Sequence, residues 1–271
     1  MKNTPPFLSI IVVCLNPGAK LRLTLDSILL QTFTDYEIIV KDGMSADGAL
    51  ELFLAQTDCQ NIRVFREKDS GIYEAMNQAV REAAGQFVYF LNCGDTLFDG
   101  QVLEKVKENI TKDSATYRIF YGNVLEALTG QEVSSNPQID RFACYRNLPC
   151  HQSCFYRREL LLAHPFIVKY KIRADHEHFM WCVLEKRVNT KFIPILVAGY
   201  EGAGFSEAKE NRKASSDEHK EIIGKYMSRS EIFRYRFIMV ITLAPLRTAL
   251  SRSRYFSAIY NKIKKRWYRR T

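Results

Sequence analysis

The sequence predicts an α/β protein built on a doubly wound, mostly parallel sheet, with a basic amphipathic helical extension at its C-terminus. Three observations predict this. Short Ile/Val-rich runs alternate with stretches of helical periodicity from Leu8 to Leu91, polar clusters stand where those runs end, and the positive charge gathers in residues 229–271. With 271 residues, 46% hydrophobic and 25% charged, the chain has ample apolar material for a core, which excludes a disordered protein.

Leu8 to Cys14 is a continuous apolar run of the kind buried on both faces of a parallel sheet. After a loop, Asn16 to Gly18, the apolar residues Leu21, Leu25, Ile28 and Leu29 recur at helical spacing, and Tyr36 to Val40 supplies a second strand. A helix near Ala49 to Gln56 and a strand near Ile62 to Phe65 follow. Next come a helix near Ile72 to Ala84, ended by Gly85, and a strand Phe87 to Leu91. Beyond Asp99 the alternation loosens. A helix Val102 to Asn109 precedes a hairpin across Tyr121 to Val133 that turns at Thr129 and Gly130. A helix containing His176 to Glu185, a strand Phe192 to Ala198 and a helix from Ser206 to Tyr226 complete a globular domain, residues 1–228, with halves 1–98 and 99–228.

The formal charge of +9 is unevenly spread: from Arg229 to Thr271 twelve Lys or Arg stand against one acid, Glu231. The remaining 27 basic residues face 29 acids. A neutral body with a basic tail suits an anionic membrane surface, and no basic and aromatic recognition module points to nucleic acid. Phe233, Phe237, Ile238, Val240 and Ile241 lie near one helical face, but the apolar stretch Phe237 to Leu246 is half of the ~20 residues that span a bilayer. Tyr255, Tyr260, Trp267 and Tyr268 among Lys and Arg favour an interfacial helix over one that packs on the body or forms a homodimer. Seven scattered cysteines, an odd number, read as reduced and buried, and no basic-then-apolar leader follows Met1. The expected place is the cytoplasm, peripheral at the inner face of the membrane.

Open sheets bind ligands at the carboxyl ends of their strands, and four polar clusters stand there. In Lys41-Asp42-Gly43-Met44-Ser45-Ala46-Asp47, Asp42 can accept hydrogen bonds from a base or ribose and Gly43 lets backbone approach a ligand; a plain turn with Ser45 or Asp47 capping the next helix explains it equally. Arg66 to Asn77 is a charged loop entering a helix, with Asp69, Ser70 and Gly71 at its start and Asn77, a mediocre helix former, inside it. Asn92-Cys93-Gly94-Asp95 ends the most hydrophobic strand. Asp95 could ligate a hard divalent cation, with Asn92 acting through water, because a diphosphate and water supply the other oxygens. Asp175-His176-Glu177-His178 opens a helix with a carboxylate suited to general-base work, or with a simple cap. The Cys and His residues at 150–178 match no common zinc spacing.

Taken in order, these clusters resemble the family 2 glycosyltransferases, above all those of bacterial polysaccharide, O-antigen and colanic-acid-type synthesis. The matching pieces are Ser9 to Val13, Leu25 to Ile28 with Gln31 to Phe33, Glu37 to Ser45, Asp69 to Tyr73 with Ala75 to Asn77, Phe90 to Asp95, His151 to Ser153 and Tyr170 to Asp175. The resemblance implies a GT-A fold whose Rossmann-like half, 1–98, binds the nucleotide and whose second half, 99–228, takes the acceptor. It implies inverting transfer of a hexose from a nucleotide sugar, UDP-linked by preference, to a lipid-linked saccharide. On this resemblance Asp42, Gly43, Asp69, Gly71, Asn77, Asn92 and His151 line the donor site, Asp95 holds Mn²⁺ or Mg²⁺, and Asp175 rather than Glu177 is the base. Asn92 stands where the wider family has an acid, so a non-catalytic nucleotide-sugar-binding or membrane-scaffold protein is the competing reading. A nucleotidyltransferase is disfavoured by the absence of a Gly-rich, Lys-containing phosphate loop.

Overall fold

A computed structural model describes residues 4–57, 61–202 and 209–242. Backbone contacts group Met1–Ile222 into one compact unit and Ile223–Thr271 into another. The first unit is built on a sheet ordered β3-β2-β1-β4-β8-β6-β9-β5, with β7 paired to β6. Its parallel core is β1 (Leu8–Cys14), β2 (Tyr36–Asp42), β3 (Ile62–Arg66) and β4 (Phe87–Phe90), in which β1 pairs with β2 on one side and β4 on the other. All seven residues of β1 are buried, as a strand covered on both faces requires.

The period-two alternation of the strands sends their side chains to two helical layers. Ile10, Val12, Ile38 and Val40 join one core cluster with Leu21, Leu25 and Ile28 of α1 (Ala19–Leu29), Leu50 and Phe53 of α2 (Ala49–Gln56) and Val102, Val106 and Ile110 of α4 (Val102–Asp113). The opposite face of β1 and β2 packs against α3 (Ile72–Glu82), which buries Ala75, Met76, Ala79 and Val80.

The second half departs from the parallel pattern. Here β8 (Cys154–Arg157) runs antiparallel between β4 and β6 (Ile119–Glu126), β9 (Thr190–Tyr200) is parallel to β6, and β5 (Thr96–Leu97) is antiparallel to β9. Among the described strand pairs half are antiparallel, so "mostly parallel" holds for the first half and the whole sheet is mixed. The predicted hairpin forms between β6 and β7 (Gln131–Val133), with Gly130 at φ 64° in its turn. Two six-residue helices, α5 (Arg141–Arg146) and α6 (Arg158–Ala163), precede α7 (Ala174–Met180), which continues as a π-helical turn over Trp181–Glu185. A 3₁₀ turn, Lys209–Asn211, and α8 (Arg212–Tyr226) cover the described part of the helix expected from Ser206; residues 206–208 lie outside the described residues.

One polar knot ties the parallel strands together. The Ser9 hydroxyl donates to Glu37 (2.7 Å) and accepts from the Gly85 amide (2.8 Å), while Glu37 also accepts from Ala84 (2.6 Å) and Arg63 (2.9 Å). A Cβ on Gly85 would stand 2.5 Å from the Ser9 amide nitrogen and 2.8 Å from the Leu8 carbonyl carbon, both backbone. Gly85→Ala is therefore expected to cost about 3 kcal/mol in urea unfolding, the upper end for overpacking. Gly224→Ala, whose Cβ meets open space on a helix, is expected to hold or gain stability.

Candidate active site

The sheet order places a topological switch point between β1 and β4, because the chain winds from β1 out to β3 and returns on β1's other side. A cleft of about 410 Å³ opens there, at the carboxyl ends of both strands, lined by Val13, Cys14, Leu15, Asn16, Pro17, Lys20, Ile72, Asn92 and Cys93.

The lip after β4 is a tight turn in which the Asp95 amide donates to the Asn92 carbonyl (2.9 Å). Thr24 of α1 braces it, accepting from the Gly94 amide (2.9 Å) and donating to the Asp95 carbonyl (2.8 Å). The Asp95 side chain, 8% exposed, accepts from Gln152 Nε2 at 3.2 Å. Burial raises its carboxyl above the ordinary range, against the opposing pull of His151 and the Gln152 amide. Asn92 Nδ2 donates to His151 Nε2 (2.9 Å), whereas its Oδ1 is buried without a hydrogen-bond partner.

Asp175, in the first turn of α7, faces His151 Nδ1 at 3.6 Å and the Tyr73 hydroxyl at 2.8 Å. Burial alone would raise the Asp175 carboxyl, but neighbouring His176 and His151 and the hydrogen bonds from His151 and Tyr73 hold it well below the usual carboxylate range. One 3₁₀ turn, His151–Ser153, thus touches both carboxylates: Gln152 reaches Asp95 and His151 reaches Asp175. Glu177, the other acid of that cluster, is fully buried against His164 at 2.9 Å.

The second cluster adjoins the cleft through Ile72, which lines it. Asp69 accepts from the buried Lys41 ammonium (3.0 Å) and from the Gly71 amide (3.1 Å). Gly43 leaves room for it, since a Cβ there would stand 2.9 Å from Asp69 Oδ2. Gly71, at φ 139°, takes a conformation that L residues rarely adopt and starts α3.

Two expected ligand contacts lie elsewhere in this structure. Asp42 is fully buried, accepting from the Ser45 amide (2.9 Å) and hydroxyl (2.5 Å) and paired with Arg66 at 3.0 Å, so it holds the loop from beneath and exposes no surface to a base or ribose. Asn77 gives both ends of its amide to the Phe166 backbone (2.8 and 2.9 Å), pinning the second half to α3 rather than facing the cleft. Conversely Tyr73, Gln152 and Lys20 were not singled out from the sequence.

Among the described residues no three His, Cys, Asp or Glu gather as a metal cage. Cys14, Cys93, Cys144, Cys154 and Cys182 are free thiols, and Cys59 lies outside the described residues. A hard cation bridging a diphosphate needs only one or two protein carboxylates, and Asp95 with the unpartnered Asn92 Oδ1 fits that donor set.

A pH prediction arises from the buried cluster behind Asp175. His178 is fully buried, with Nδ1 donating to the His164 carbonyl (2.8 Å), and burial pushes its imidazole down to about 4. The unfolded chain takes up this proton near pH 6.5 and the folded protein only near 4, so stability is full above 6.5 and lost as pH falls through that window. Urea unfolding at pH 4 and pH 7 is expected to differ by about 3 kcal/mol from this residue, at about 1.4 kcal/mol per pH unit.

A parallel half-sheet carrying this switch-point cleft, joined to a mixed half that supplies Asp175 and the 151–153 turn, defines a GT-A protein. The chain belongs to glycosyl transferase family 2, whose model matches residues 9–163, and it is a glycosyltransferase. It is similar to PGL/p-HBAD biosynthesis glycosyltransferases of Mycobacterium bovis and Mycobacterium tuberculosis, 32% identical over 202 residues, which are 73% of this chain and 78% of theirs. Its fold matches S. aureus TarS 1-349 in complex with UDP at a TM-score of 0.62, with 18% identity over 82% of this chain and 71% of that one. It also matches the mannosyltransferase PcManGT from Pyrobaculum calidifontis, solved with GDP-Man and Mn²⁺, at 0.66, with 14% identity over 96% and 84%.

Proposed function

We propose that this glycosyltransferase moves a hexosyl group from a nucleoside diphosphate sugar, UDP-linked by preference, to a hydroxyl of a lipid-linked saccharide in bacterial surface polysaccharide synthesis, with inversion at the anomeric carbon. The observation that carries this reading is the single turn, Gln152 to Asp95 and His151 to Asp175, which holds two buried carboxylates behind the Asn92–Cys93 edge of the cleft. The half 1–98 would take the donor and 99–228 the acceptor.

Asp69, Gly43 and Gly71 would shape the donor side of the cleft, and Asp42 fixes the loop after β2 on which Gly43 sits. Asp95 would hold Mn²⁺ or Mg²⁺, with Asn92 contributing through water, and the cation would supply positive charge to the departing diphosphate. Asp175 takes the proton of the acceptor hydroxyl as its oxygen bonds to the anomeric carbon, and the glycosidic electron pair leaves with the diphosphate. Tyr73 and His151 aim the Asp175 carboxylate.

The membrane part of the proposal rests on α9 (Arg229–Ile241). It begins with a capping box between Ser228 and Glu231, and Phe233, Phe237, Val240 and Ile241 form an exposed stripe at helical spacing. Arg234 and Arg236 flank that stripe, as an interfacial helix on anionic lipid requires. No helix among the described residues is long and apolar enough to cross a membrane. The tail from 243 onward lies outside the described residues.

The test is transfer from a panel of UDP-, GDP- and dTDP-sugars, with Mn²⁺, to lipid-linked saccharide extracts, the product's anomeric configuration being read by NMR. Turnover of one donor with inversion is expected; donor binding without turnover on any acceptor would favour the non-catalytic reading.

A further inference from the structure

Among the described residues lining the β1–β4 cleft, Lys20 is the only charged one. It stands in the first turn of α1, where helix backbone adds partial positive charge. Its stem arches over the lip, so that a Cβ on Gly94 would lie 3.3 Å from Lys20 Cδ, and Gly94 takes φ 102° there. Its ammonium is not free: it pairs at 2.5 Å with Glu201, just beyond β9, although both side chains are more than half exposed. A cation at the edge of a ligand cleft, held by a carboxylate that can rotate into solvent, is a contact that an anion can take over at small cost.

We propose that Lys20 is the side chain that binds the donor's diphosphate, and that Glu201 holds it in reserve until the diphosphate displaces the carboxylate. This rests on the nucleotide-sugar reading above. The Lys20–Glu201 pair links the two halves of the first unit, so donor entry releases the end of β9 from α1 as the ammonium turns to phosphate. Lys20 then supplies positive charge to the diphosphate beside any cation held at Asp95. The exchange is an ion-pair swap in which no covalent bond forms or breaks.

The experiment is calorimetric titration of UDP, GDP and dTDP into the full chain, without metal and with Mg²⁺, for wild type, Lys20→Met, Lys20→Arg and Glu201→Gln. Lys20→Met is expected to weaken binding of the preferred nucleotide about tenfold, as loss of a charge-assisted hydrogen bond does, with Lys20→Arg restoring most of it. Glu201→Gln removes the competitor and is expected to tighten metal-free binding by up to about fivefold, the range of an exposed ion pair. These opposite signs are the signature, because a merely structural bridge would lower thermal stability in both variants without tightening either. Wild-type affinity in Lys20→Met, or weakened binding in Glu201→Gln, overturns the proposal. Loss of Mg²⁺ enhancement in Glu201→Gln also overturns it, by making Glu201 a cation ligand. If wild type binds none of the three nucleotides, the donor reading fails first.

Discussion

Asp175→Asn is expected to lower kcat about a thousandfold while leaving the Kd for the donor nucleotide within about threefold, the pattern of a lost general base. Asn keeps the volume and can still accept from Tyr73, so the helix start and the Phe166 region should stay in place. What it lacks is the charge that His151 and His176 stabilise and that accepts the acceptor's proton. Glu177→Gln is the informative contrast. Glu177 is fully buried and bonded to His164 next to Trp181, which stacks on that ring at 4.4 Å, so its loss should lower the melting temperature with kcat close to wild type. An Asp175→Asn enzyme at wild-type kcat beside an inactive but folded Glu177→Gln would exchange the two roles.

Asp95→Ala carries the second large effect: kcat/KM about a thousandfold lower, and Mn²⁺ affinity in the presence of nucleotide at least tenfold weaker by electron paramagnetic resonance. Stability should change little, because burial already disfavours the Asp95 charge, which offsets loss of the 3.2 Å contact from Gln152 and the hydrogen bond from the Glu201 backbone. Asn92→Asp, which restores a second acid to the lip, is the reciprocal variant. It replaces an amide that donates to His151 Nε2, so any gain in metal affinity should come with a disturbed Asp175 partner. A metal requirement that survives Asp95→Ala would place the cation elsewhere.

The parallel half was legible because each strand there is a short apolar run with one helix between it and the next, and local pattern fixes both. The mixed half was not. β8 has only four residues, Cys154–Arg157, lying between a 3₁₀ turn and a six-residue helix, too short for a period to register; its meaning comes from pairing β4 with β6 across the sheet. β5, two residues long, exists only because β9 lies beside it.

At the site, polar residues ending apolar strands were conspicuous; Asp95 follows β4 as that logic expects, whereas Asp175 opens α7 after a loop and ends no strand. What pattern could not reveal was partner choice. Asp42 and Asn77 look like ligand contacts in the sequence, yet Arg66 and Phe166 consume them. Tyr73, Gln152 and Lys20 gain their significance from partners 102, 57 and 181 residues away. The C-terminal charge was plain from composition, and its placement on an apolar stripe is visible only as far as Thr242.

The central claim is that the donor nucleotide occupies the β1–β4 cleft beside the Asn92–Asp95 lip. Methyl NMR of the full chain, titrated with UDP, GDP and dTDP in the presence of Mg²⁺, tests it most directly. Leu15, Ile72 and Val13, which line the cleft, should shift in a saturable manner with one of the three, and Asp95→Ala should weaken the response. Nucleotide binding that leaves these three methyl groups unmoved, or no binding by any of the three, would contradict it.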